Sequence, residues 1–164
     1  MCGCKLEHSH FEFIIEDFAE LEQDEYTTSD NLSDYEIYGV VIRPWIKNIS
    51  DDVTYGIGIY GYADRSASEK EITINQLSVC APSGKELLNL TDYIEPIRYS
   101  NESSIACFQA NNIAEFTDDV DTIKSYETLY VRLNATVSDK VLSESKDILY
   151  KIDIVAYVTH YTIT

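Results

Sequence analysis

Positive charge is scarce in this chain. Twelve Lys and Arg face 29 Asp and Glu across 164 residues, a net charge of −17 with the histidines neutral. Such a chain repels phosphate backbones and anionic membrane surfaces, which excludes nucleic-acid binding through a basic groove. Long apolar runs are missing too, and none approaches the ~20 residues that a membrane-spanning helix needs. The first residues, Met1-Cys2-Gly3-Cys4-Lys5, lack the apolar core of a secretory signal. Read literally, these features predict a cytoplasmic protein without membrane insertion. A Met directly ahead of Cys2 leaves a second reading open, in which Cys2 is the lipid-attachment residue of a bacterial cell-envelope protein whose signal has been replaced.

Catalytic fingerprints are absent as well. No G-x-S-x-G elbow, H-E-x-x-H pair or phosphate-cradling glycine loop occurs, so no enzyme activity and no cofactor are expected. The four cysteines, Cys2, Cys4, Cys80 and Cys107, show no paired-knuckle spacing. Cys80 and Cys107 are expected to be buried thiols, although a disulfide between strands is open on sequence alone. Cys2, Cys4, His8 and His10 offer the donor types that zinc or copper takes. Their C-x-C…H-x-H spacing is tighter than structural-zinc patterns, so they read as incidental residues of a chain end and no metal is expected. Asp118-Asp119-Val120-Asp121 fails as an EF-hand, because Ile123 and Leu129 stand where Gly and Glu are required. It reads as a solvated acidic loop, as does Asp51-Asp52. His160 reads as an ordinary strand histidine. Four N-x-S/T triplets, at Asn48, Asn89, Asn101 and Asn134, read as chance.

Against these absences stand 45% hydrophobic residues, enough to bury a core in one domain. From Tyr35 onward the apolar pattern has a period of two. Leu129, Val131, Leu133, Ala135 and Val137 alternate with polar neighbours, and Tyr150, Ile152, Ile154, Ala156 and Val158 do the same. The two strands are expected to pair across the Ser138–Asp147 connection. Val53, Tyr55, Ile57 and Ile59 alternate with Gly56 and Gly58, whose bare positions predict close approach by a backbone or a large aromatic. Pro44 marks an edge or bulge, Asn75-Gln76 a bulge, Pro82-Ser83-Gly84 a turn and Ile105–Phe108 a further short strand. The prediction is a mainly β protein, an antiparallel sandwich of immunoglobulin-like architecture with one short N-terminal helix.

Composition divides the chain into an acidic element, residues 1–34, and a sandwich, residues 35–164. Residues 1–36 hold eleven acids and one base, Lys5, so most of the net charge is local. Over residues 9–22 two patterns compete. Phe11, Ile14, Ile15, Phe18 and Leu21 share one helical arc, and Ser9 with Glu12 fits a capping box. Phe11, Phe13 and Ile15 also alternate as a strand does. The helix is the preferred reading, followed by a mobile acidic loop over Gln23–Asp34.

Clustered carboxylates interleaved with tyrosines suit a basic protein partner, which they would meet by fast, salt-sensitive association. The expected contact residues are Glu16, Asp17, Glu20, Glu22, Asp24 and Glu25, with Tyr26 and Tyr35 as aromatic anchors. The most concrete expectation is an immunity protein that covers the active site of a cationic toxin, such as a nuclease. A surface lipoprotein-type sandwich is the alternative.

Overall fold

The computed structural model describes residues 5–50, 53–92, 94–102 and 106–162. The strands are β1 (Lys5–Ile14), β2 (Glu36–Ile37), β3 (Val40–Ser50), β4 (Thr54–Tyr62), β5 (Glu71–Cys80), β6 (Glu86–Leu90), β7 (Ile97–Arg98), β8 (Phe108–Thr117), β9 (Thr128–Ser138) and β10 (Ser143–Thr162). Two short helices, α1 (Glu16–Ala19) and α2 (Val120–Ser125), and three 3-10 turns complete the described chain. Every strand pairs antiparallel. One sheet runs β1-β10-β9-β5-β6, with β7 also on β5, and the other runs β2-β3-β4-β8. The chain is thus the antiparallel sandwich that period-two alternation predicts.

The core lies between the sheets. Leu129, Val131, Leu133, Ala135 and Val137 of β9 are all buried, as are Tyr55, Ile57 and Ile59 of β4 and Ile148, Tyr150 and Ile152 of β10. Each leucine, valine or isoleucine of this set contributes about 1.5–3 kcal/mol by leaving water. On the outer face of the large sheet, Asn75 Nδ2 donates to Asn134 Oδ1 at 2.7 Å and Asn134 Nδ2 to Asp147 Oδ1 at 2.7 Å. This amide ladder favours the observed register of three strands, because a one-residue slip of any one of them would turn its member of the ladder inward.

Local expectations hold at several points. β9 and β10 form a hairpin, and the β5 register shifts between Ile74 and Gln76. Gly84 takes φ +86° in the turn before β6. Pro44 sits opposite Ile59 where β3 has outrun two-residue β2, so its missing N–H faces an open edge. A methyl added at Gly58 would enter the Trp45 ring, the large aromatic that the bare position called for. A strand runs from Phe108 to Thr117, and Ile105, where the expected short strand starts, lies outside the described residues.

The N-terminal segment departs from expectation. Residues 5–14 form a strand, with Ser9 paired to Val158 and Glu12 to Val155, so the Ser9 capping box does not form. Helix is confined to Glu16–Ala19. A short isolated helix is marginal in water, whereas β10 continues past its last pairing with β9 at Asp153 and offers β1 a full ladder. Phe13 then packs edge-on against Tyr55. Residues 23–34 are not a loose loop either. Two 3-10 turns, Gln23–Glu25 and Asp30–Tyr35, tie them down through buried Tyr26 and Leu32.

Several structural ends meet at one pole of the sandwich. Val41 pairs with Tyr62, which puts the start of β3 beside the end of β4. Glu71 pairs with Ser138 and Ser138 with Ser143, which gathers the start of β5 and the β9–β10 hairpin tip. The Tyr38 hydroxyl on Asp139 (2.8 Å) and Lys70 Nζ on the Tyr38 carbonyl (2.6 Å) lock the two sheets together there.

Candidate functional site

Between Glu16 and Glu36 the chain carries nine acidic residues, and no Lys or Arg occurs between Lys5 and Arg43. The same stretch, with Ile15 just ahead of it, supplies its own anchors at irregular spacing: Ile15, Phe18, Tyr26 and Leu32 are buried, and Leu21 and Tyr35 are half-buried against the core. Phe18 meets Tyr26 edge-on at 5.2 Å between ring centroids, and Tyr26 meets Tyr62 of β4 at 4.8 Å. Tyr35 stacks on Tyr150 of β10 at 5.0 Å. Arg43 places its guanidinium 5.6 Å from the Phe18 ring centre, a cation–π contact beneath the element. The acidic stretch is therefore a fixed cover on the sandwich, with apolar side chains inward and carboxylates outward.

The expected contact residues separate into two groups. Glu16, Asp17, Glu20, Glu22, Asp24 and Glu25 are all exposed. None belongs to the ion pairs found among the described residues, which join Lys85 to Asp118, Arg98 to Glu71, Lys140 to Glu69 and Lys151 to Asp153. The two tyrosines point the other way. Tyr26 is only 7% exposed and gives its hydroxyl to the Phe18 carbonyl at 3.3 Å. Tyr35 donates to Asp17, and burial, then that carboxylate, pushes its phenol well above the ordinary range. Both anchor the element to the fold, because each ring finds an aromatic partner inside the sandwich.

A cleft of about 670 Å³ opens where the element meets the sandwich. Glu22, Asp24 and Thr27 line it from the acidic side, and Tyr62, Tyr99, Asn101 and Cys107 from the sandwich. No Lys or Arg is among these described lining residues. Burial pushes the Tyr62 phenol up against the opposing pull of Arg43. Carboxylates beside phenol rings can hold an ammonium or guanidinium group together with its apolar stem. Sequence reading missed Phe18, Leu32, Tyr62 and Tyr99 in these roles. Only the irregular recurrence of large apolar residues within an acidic stretch hinted that the stretch is anchored.

Asp119 is the N-cap of α2, accepting from the Thr122 amide at 2.9 Å, and Asp118 accepts from the Tyr126 hydroxyl at 3.1 Å. These carboxylates serve a helix start and its packing, so the solvated-loop expectation is replaced by a cap. Cys80 and Cys107 are free and half-buried, and the Cys107 thiol donates to the Ala63 carbonyl at 3.2 Å. Cys2, Cys4, Asp51 and Asp52 lie outside the described residues, as do the side chains of His8, His10 and His160. No described helix is long and apolar enough to cross a membrane.

No protein-family model, curated protein or solved structure matches the chain. What the site does has to follow from the chemistry of these residues.

Proposed function

We propose that this chain is a non-enzymatic acidic binding protein that occupies the cationic surface of a basic protein. In its most concrete form it is an immunity protein that blocks the active site of a cationic toxin such as a nuclease. The carrying observation is the anchoring of an uninterrupted acidic stretch: six exposed carboxylates from Glu16 to Glu25 are held on a cover pinned by buried Phe18, Tyr26 and Leu32. Fixed charges lose little conformational freedom on docking and steer a basic partner from a distance. A nuclease site must be positive to attract phosphate, and clustered carboxylates can take the place of the nucleic acid. The cleft lined by Glu22, Asp24 and the two tyrosines suits a Lys or Arg side chain of that partner.

The test is affinity capture from lysate and secreted fraction of the source cell, with washes at ~0.05 M and then ~0.5 M salt, a range over which exposed charge pairing weakens strongly. A variant carrying Glu20→Lys, Glu22→Lys and Asp24→Lys is run in parallel. The expected result is one basic protein, held at low salt by the parent and lost by the variant, whose activity the parent abolishes at equimolar ratio. Capture of nothing, or equal retention by the variant, sinks the reading.

A further inference from the structure

The β9–β10 hairpin tip breaks the rule that turns present polar side chains. Val141 is 84% exposed and Leu142 60% exposed. The turn itself is rigidly built by its neighbour. Asp139 accepts from the Val141 amide at 2.7 Å and the Leu142 amide at 2.9 Å, and its own amide donates to the Leu142 carbonyl at 2.9 Å. The Tyr38 hydroxyl braces the same carboxylate. Only the backbone of residues 141 and 142 takes part in this closure, so the turn would close equally well with polar side chains at both positions.

We propose that Val141 and Leu142 are the apolar anchor of the acidic interface, seating in an apolar pocket with a basic rim on the same protein partner. This rests on the acidic-interface reading above and adds to it the part that holds rather than steers. Two observations choose the occupant. The tip is continuous with the acidic cover, because Lys146, four residues after Leu142, donates to the carbonyls of Ser33 at 3.1 Å and Glu36 at 3.3 Å. The charge around the tip is also acidic in effect. Lys70, Lys140 and Lys146 bring three positive charges to this end of the sandwich, against five negative ones from Asp34, Glu36, Glu69, Asp139 and Glu144, so the balance is negative. An anionic membrane or a second copy of this chain would meet like charge there. A pocket rimmed by Lys or Arg would meet its complement.

Preorganised apolar side chains that dock without ordering a loop act mainly on the dissociation rate, whereas rim charges act on the association rate and its salt dependence. The experiment measures both rates for the basic partner captured above. Substituting Val141→Ser together with Leu142→Ser is expected to speed dissociation ten- to a hundredfold and to leave the association rate and salt slope unchanged. Leu142→Met should retain slow dissociation. Both side chains are exposed, so the thermal midpoint of the serine variant should match the parent and remove misfolding as an explanation. Unchanged dissociation in the serine variant, with salt dependence still lost on reversing Glu20, Glu22 and Asp24, overturns the anchor and leaves the acidic interface standing. Absence of any basic partner overturns both. Self-association of the parent that the serine variant abolishes, or its flotation with neutral phosphatidylcholine vesicles, would assign the tip to a second copy or to lipid and overturn the proposal.

Discussion

The Tyr38 phenol donates to the Asp139 carboxylate at 2.8 Å, joining residues 101 positions apart and closing one end of the sandwich. Tyr38 sits at φ +48° and Gly39 at φ +77°, in the two-residue turn between β2 and β3. This turn type suits the right-handed strand twist but is uncomfortable for a residue with a side chain. The bond to Asp139 and the Lys70 contact on the Tyr38 carbonyl and ring hold it in place.

That relationship has a pH signature. The amides of Leu142 and Val141, then the Tyr38 hydroxyl, hold the Asp139 carboxyl below its usual value. Its folded state ionises at lower pH than its unfolded state. The stabilisation is therefore complete above the ordinary Asp range, about pH 4, and is lost as pH falls through the folded value. The Asp139 bond pushes the Tyr38 phenol up. Its contribution is complete below about pH 10 and is lost as pH rises through the folded value. Asp139→Asn should lower the thermal midpoint at neutral pH, with the gap to the parent closing below about pH 4. A gap constant down to pH 2–3 would assign the loss to something other than the carboxylate charge.

Anchoring of the acidic cover predicts a separation of stability from binding. Leu32 is fully buried, so Leu32→Ala should cost about 2–5 kcal/mol in chemical denaturation. Tyr26→Phe should cost about 1 kcal/mol, since it removes a hydroxyl bond and keeps the ring. Tyr26→Phe should leave partner dissociation unchanged, because its ring and its hydroxyl both face the sandwich. A marked kinetic effect would return Tyr26 to the interface.

Close packing at Gly58 is testable through its partner. Gly58→Ala places a methyl in the Trp45 ring and near the Ala110 carbonyl, and should destabilise by about 1–3 kcal/mol. Adding Trp45→Ala should relieve part of that cost, so the double variant should lose less than the sum of the singles. Strict additivity in a double-mutant cycle would mean that the ring is not what excludes the methyl.

The thiols give a direct chemical test. Cys80 and Cys107 are free, so both should alkylate in unreduced, denatured protein, and reductant should leave the denaturation midpoint unchanged. Recovery of a Cys80–Cys107 linked peptide by mass spectrometry would contradict this.

The β9 alternation from Leu129 to Val137 was legible without coordinates, because every second residue of a half-buried strand must be apolar whatever lies opposite. The same holds for the Gly84 turn, the shift at Ile74–Gln76 and the concentration of charge before Arg43, all of which are local properties. Residues 9–22 were not legible in the same way. Phe11 and Ile15 fit a helical and a strand pattern at once, with Ile14 completing the first and Phe13 the second, and the choice fell to β10, whose Thr162 pairs with Lys5 from the far end of the chain. Tyr26 and Tyr35 show the same limit at the site. A tyrosine is equally at home against a partner or within a core, and only the positions of Tyr62 and Tyr150 turned these two inward. By itself the sequence determined which residues alternate and where the charge lies, since both depend on near neighbours. Tertiary structure alone decided which faces are covered, because covering needs contacts between residues that are far apart along the chain.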